Sequence, residues 1–188
     1  MELPQYGIPS LKHEGKTITD AKLKADLLNN YFTSVFTLNN HKSIPDKGPP
    51  PLPPMPCIVV TAPGVLKLLS ELKTRKAIGP DKIPSVLLKT VANEITPVIV
   101  SFFQQSLNTG IFPDKLKKAN VTPIPKKGSK ADVKNYPPIS LTSILSKCLE
   151  HIMVSNFMSH LESNSILTPY QHGFRKHRST VTQRFAYM

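Results

Sequence analysis

The 188-residue sequence has no tryptophan, two cysteines and only twelve acidic residues, set against twenty-four Lys and Arg. Each shortage excludes something. The two cysteines, Cys57 and Cys148, lie far apart and form no CxxC pair or Cys/His spacing. A disulfide framework and a zinc ribbon are therefore not indicated, and a reducing compartment is expected. The six histidines are scattered and read as surface or helix-face residues rather than metal ligands. No apolar run is long enough to span a bilayer, and Met1 to Ser10 lacks the apolar stretch of a secretory signal. Hydrophobic residues make up 39%, so the core is expected to be small. The shortage of acids leaves a formal charge of +12 and an isoelectric point near 9.8. Such a surface attracts polyanions, nucleic acid first and anionic membrane second.

Proline is the residue in excess, with nineteen in the chain and a dense cluster from Ile44 to Pro56. Proline fixes φ and lacks the N–H donor, so this stretch can form neither a helix nor an interior strand. Polyproline II is its expected form. A plain spacer is favoured over a PxxP ligand for SH3 or WW domains.

Elsewhere the apolar spacing is mostly helical. Residues 1–18 read as an extended lead-in with a turn at Glu14-Gly15, and Thr19 or Asp20 is placed to cap a helix over 20–37. Leu23, Leu27, Leu28, Tyr31, Phe32 and Val35 form its stripe. Thr61 caps a second helix, with Pro63 in the first turn and Val65, Leu68, Leu69 and Leu72 on one face. Gly79 to Lys82 reads as a turn. A long helical region opens at Pro84, where Pro97 is expected to kink or split it and Gly110 to end it. Val121, Pro123 and Ile124 allow a short edge strand within 118–125, followed by a basic, turn-rich stretch. Leu141 to Leu161 predicts a strong helix with Ile144, Leu145, Cys148, Leu149, Ile152, Met153, Phe157 and Leu161 on one face. Residues 162–188 read as loop with a basic tail containing Arg175, Lys176, Arg178 and Arg184. The expected class is α+β, mostly helical, with one or two short strands.

A run of local motifs sharpens this reading. Gly79-Pro-Asp-Lys-Ile-Pro84 is followed by Gly110-Ile-Phe-Pro113, Lys115-Leu-Lys-Lys-Ala-Asn-Val121 and Pro123-Ile-Pro-Lys-Lys-Gly128. Asn135-Tyr-Pro-Pro-Ile-Ser-Leu141 comes next, then Gln171-His-Gly-Phe-Arg175 with Arg178-Ser-Thr180. In this order they resemble the GPD-x-IP, NYRPISL and QHGFR…RST signatures of LINE-type (non-LTR, jockey-like) retrotransposon reverse transcriptases. Residues 7–37 resemble the segment that joins endonuclease to polymerase in those elements.

The resemblance implies a linker-to-polymerase segment with one helix (1–38), a Pro-rich linker (39–60) and a partial reverse transcriptase domain (61–188). The last would hold the N-terminal extension and incomplete fingers, and would stop before the catalytic palm. The implied activity is RNA-directed DNA polymerisation for a mobile element, with this chain inactive alone. By the same resemblance Lys126 and Lys127 neutralise nucleotide phosphate, a role suited to mobile cations beside a strand. Phe174, Arg175 and Arg178 fall where an aromatic and cations meet the template. No catalytic or metal-binding residue is implied in the chain, and Mg²⁺ is expected only for the full-length enzyme, whose acids hold two ions. The implied partners are RNA or DNA and the missing palm and thumb, with no membrane. Other readings are a non-catalytic basic nucleic-acid-binding module, a protein-interaction piece using the stripe Leu145–Leu161, and a decayed copy without function.

Two positions depart from the family pattern. Pro137 stands where NYRPISL has a phosphate-gripping Arg, and offers neither charge nor N–H. Lys82 stands where Gly is preferred, so a positive φ there would strain it by about 1 kcal/mol.

Overall fold

Two hydroxyl- or carboxylate-bearing caps fix where the first helices begin. The computed structural model describes residues 7–37, 46, 48, 49, 52 and 54–185, so nearly half of the proline-rich stretch lies outside the described residues. Helix α1 spans Ala21–Ser34, and Asp20, not Thr19, is its cap, with Oδ1 accepting from the Leu23 N–H at 2.9 Å. Helix α2 spans Ala62–Ser70, and Thr61 Oγ1 accepts from the Gly64 N–H at 3.3 Å. Ahead of α1 the lead-in is a hairpin. Strands β1 (Leu11–His13) and β2 (Lys16–Ile18) pair antiparallel, with Leu11 opposite Ile18. Glu14 and Gly15 both take positive φ (48° and 75°) in the two-residue turn, the geometry that matches strand twist.

The helical region after Pro84 does split, but at Val91 (φ −102°, ψ 24°), giving α3 (Ser85–Thr90) and α4 (Ala92–Thr109). Pro97 lies inside α4 rather than at the break. Restarting the helix at Ala92 leaves Pro97 in the second turn, where it forfeits one ladder bond to the carbonyl four residues back. Gly110, at φ 67°, ends α4 as expected. Short helix α5 (Asp114–Lys117), strand β3 (Ala119–Pro123), a 3-10 turn (Val133–Asn135) and strand β4 (Pro138–Thr142) follow. Then come α6 (Ile144–Ser163) and α7 (Thr180–Phe185), the latter in the stretch expected to be loop.

Strands β3 and β4 pair antiparallel from Ala119↔Thr142 to Pro123↔Pro138. Leu141 and Thr142 are therefore strand, and Ser143 caps α6, its Oγ accepting from the Leu145 N–H at 3.2 Å. The class is mixed α+β and mostly helical, as expected, and among the described residues its β-structure is four short strands in two antiparallel pairs, more than the one or two expected. Helical spacing hid the end of β4, because Leu141 lies three and four residues before Ile144 and Leu145 and so extends their stripe.

The main core joins α2, α3, α4 and the first half of α6 through Val65, Leu69, Leu88, Phe103, Ile144 and Leu149. Beyond that half, Val154 and Phe157 of α6 remain exposed. A second, smaller core holds Leu11, Leu28, Phe32 and Tyr136, so the N-terminal hairpin and α1 pack onto the segment before β4.

The turn between α2 and α3 closes through Lys82 N–H to Gly79 O at 3.1 Å, with Lys82 at φ 58°. The strain anticipated for a side chain there is present. Lys82→Gly is expected to raise stability by up to about 1 kcal/mol, the αL penalty less the entropy glycine brings to the unfolded chain. A thermal melt checks it: the midpoint should rise by about 2–4 °C.

Candidate nucleic-acid interface

Beyond β3 the hairpin continues as a basic turn. The Ile124 N–H donates to Pro137 O (3.3 Å) and the Lys126 N–H to Asn135 O (2.8 Å), extending the ladder past its formal end. Pro137 returns no bond, having no N–H, so the proline fits the backbone here and what it removes is the family's cation. Gly128 sits at φ 126°, and a Cβ there would lie 2.9 Å from Asn135 Nδ2. Asn135 Nδ2 in turn donates to Ser129 O at 3.0 Å, and Asp132 Oδ1 accepts from the Lys134 N–H at 2.9 Å. These bonds consume the turn's polar backbone and leave Lys126, Lys127, Lys130 and Lys134 exposed. No salt bridge joins the four to an acid among the described residues.

The other resemblance-derived residues lie on the loop after α6. Arg175 turns inward: Nε donates to Glu162 Oε1 (2.9 Å) and Nη2 to Glu162 Oε2 (2.6 Å). Its Nη1 donates to Thr168 O (3.0 Å) and Gln171 O (3.3 Å). This fork-on-carboxylate pair is the strong, oriented kind, and the Arg175 hydrogen bond holds the Glu162 carboxyl below the usual carboxylate range. Arg178 Nη1 lies 3.4 Å from Pro169 O and 3.2 Å from His172 Nε2.

His172 is buried, not a surface residue. Its Nδ1 is 2.7 Å from Thr182 Oγ1. A guanidinium can only donate, so Nε2 accepts from Arg178 and Nδ1 carries the proton toward Thr182. Thr182 Oγ1 also accepts from the Ser179 N–H (2.8 Å) and donates to Ser179 O (2.9 Å), which completes the knot. Sequence reasoning missed Glu162, His172 and Thr182 in this role. Nothing in their spacing pairs a helix glutamate with an arginine thirteen positions later.

Between these anchors Phe174 takes φ 60° and its side chain is fully exposed. It stands at the edge of an open groove of about 680 Å³ whose lining includes His151, Val154, Met158, Lys176 and Arg178. The structure thus brings Phe174, Arg175 and Arg178 together around one groove, while Lys126 and Lys127 occupy a separate turn. Among the described residues, no group of three or more His, Cys, Asp or Glu is placed to hold a metal ion. No described helix is long and apolar enough to cross a membrane.

No protein-family model matches the chain. Curated proteins do. Over 130 residues it is 30% identical to the RNA-directed DNA polymerase from mobile element jockey of Drosophila funebris, covering 69% of this chain and 14% of that protein. The protein of the same description in Drosophila melanogaster is 27% identical over 130 residues, with the same coverage. A probable RNA-directed DNA polymerase from transposon BS of Drosophila melanogaster is 28% identical over 120 residues, covering 63% of this chain and 13% of that protein. The chain belongs to the jockey-like, non-LTR retrotransposon reverse transcriptases. It spans about 14% of the length of the jockey proteins it matches. In this jockey-like segment two motifs far apart in sequence touch. An ideal Cβ on Gly79 of the GPD turn would lie 2.7 Å from Ser143 N and from Thr142 C and O, just past the NYPPISL stretch.

Proposed function

We propose that this chain forms a nucleic-acid-facing part of a mobile element's RNA-directed DNA polymerase. The observation that carries the reading is Phe174, projected into solvent from a loop pinned by Arg175, Arg178 and His172, beside a groove with cations on its rim. An exposed aromatic next to cations suits a single strand: the base stacks on the ring and the phosphates meet Lys176 and Arg178. Lys126 and Lys127 supply a second cationic surface for nucleotide or template phosphate. Arg175, with its donors taken by Glu162 and two carbonyls, serves by holding the loop. Nucleotidyl transfer needs acids that hold Mg²⁺. We assign that chemistry to the palm of the longer family protein, which with the thumb is the partner we propose for this segment. Exposed Val154 and Phe157 on α6 favour docking of such a partner as a second role.

Two variants of the whole chain test the nucleic-acid reading. Phe174→Ala is expected to weaken binding of single-stranded RNA roughly 5- to 100-fold, the worth of one stacked base, with an unchanged salt dependence. Lys126→Ala with Lys127→Ala is expected to flatten the slope of log K against log salt by about 1.4, two phosphates' worth on a single strand. Fluorescence anisotropy measures both. Unchanged affinity in the Phe174 variant contradicts the stacking role, and an unchanged slope in the double variant contradicts the phosphate role.

A further inference from the structure

The basic turn does not stand alone. Lys12 N–H, on β1, donates to Ala131 O at 2.7 Å, a backbone bond between the N-terminal hairpin and the tip of the turn. Tyr136 is buried among Leu11, Leu28 and Phe32, and its hydroxyl donates to Lys130 O at 2.6 Å. Val133 packs on the same cluster. Lys24 Nζ of α1 reaches back to Ile8 O at 2.6 Å, which ties the chain before β1 to the helix. Residues 8–34 therefore grip the turn at Ala131, Val133 and Tyr136, and Tyr136 in turn holds Lys130 O, while the side chains of the four lysines stay outside the grip.

We infer that the N-terminal hairpin and α1 are a brace that sets the conformation of the basic turn, with Leu11 and Tyr136 as its positioning residues. A turn of seven or more residues bearing four like charges repels itself and loses conformational entropy when ordered. The turn's own bonds are few: Ser129, Asp132, Asn135 and Tyr136 side chains and short backbone contacts, and the Tyr136 bond depends on the ring being held in the N-terminal core. The β1 bond and the packing of Leu11, Leu28 and Phe32 around the Tyr136 ring supply the remainder, from a part of the chain more than 100 positions earlier in sequence. The brace would make the number of phosphates the lysines neutralise depend on residues that touch no nucleic acid. That last consequence rests on the nucleic-acid reading above; the brace itself does not.

Two variants of the full chain decide it. Tyr136→Phe keeps the ring and removes only the bond to Lys130 O. Amide hydrogen exchange at Lys126 and Asp132 should quicken about fivefold, the effect of one ordinary hydrogen bond, while amides of α4 and α6 stay as they were. Leu11→Ala removes buried side chain from the N-terminal side alone, and exchange across 126–136 should rise with exchange across 11–18. In both variants the salt slope of RNA binding should flatten toward that of the double lysine variant, with the lysines still present. If exchange rises across 11–18 in Leu11→Ala but not across 126–136, or if Tyr136→Phe leaves Lys126 and Asp132 unchanged, the brace is overturned. If the unaltered chain binds no RNA, the nucleic-acid reading fails and the exchange results still decide the brace.

Discussion

Gly79→Ala is expected to destabilise the chain by about 3 kcal/mol, the upper part of the usual overpacking range. The new Cβ would lie 2.7 Å from Ser143 N, Thr142 C and Thr142 O, and all three are backbone atoms. A flexible side chain could swing aside; a strand end and a helix cap cannot. Relief means prying the turn after α2 away from the junction of β4 and α6, which also disturbs the Ser143 cap. The turn anchors α3 as well, since Ser85 Oγ donates to Lys73 O (2.8 Å) and Thr74 O (3.1 Å) just before it. A chain of this size loses about 2–4 °C per kcal/mol, so the melting midpoint should fall by roughly 6–12 °C. Gly173→Ala is the control: nothing lies within 4 Å of its added Cβ, and its effect should stay within about 0.5 kcal/mol. Equal melts for the two variants would mean the GPD turn does not sit against β4 and α6.

Phe103→Ala is expected to cost about 3–5 kcal/mol. Phe103 is completely buried in the main core, on α4 where it packs against α2 and α3, and its ring lies tilted against Phe102 at 5.9 Å. Truncation leaves a cavity that the packed helices around it cannot fully fill. Domains are stable by only about 5–15 kcal/mol, so this one change removes a large share. Urea unfolding should show a lower midpoint with little change in slope. Val98→Ala, five residues earlier on the exposed side of α4, should barely move the midpoint. A comparable loss at both positions would contradict the assigned core.

Much of this was legible because the signals are local. Asp20 and Thr61 announce helix starts through side-chain chemistry, Gly110 announces an end, and the stripe Val65–Leu69 shows which face is buried. The less legible features depend on partners distant in sequence. Strand β4 takes its conformation from pairing with β3, and its last apolar residue, Leu141, also continues the helical spacing of Ile144 and Leu145. His172 is buried by Arg178 and Thr182, none of which marks it in isolation. Arg175 fits a template contact by motif, yet Glu162 on α6 claims its guanidinium. Leu11 looked like part of an extended lead-in until Tyr136 gave it a core. The departures at Lys82 and Pro137 were visible in sequence, but only the backbone separates them. Lys82 is held in a strained conformation, whereas Pro137 fits its place and merely lacks a charge.

The most direct test of the nucleic-acid reading is the affinity of the unaltered chain for a short single-stranded RNA between 50 and 200 mM salt. With about six phosphates neutralised, by the lysines of the basic turn, Lys176 and Arg178, log K should fall against log salt with a slope near −4.2, a loss of roughly 300-fold across the range. A flat response, or no binding at the lowest salt, would contradict the assignment of these two surfaces to nucleic acid.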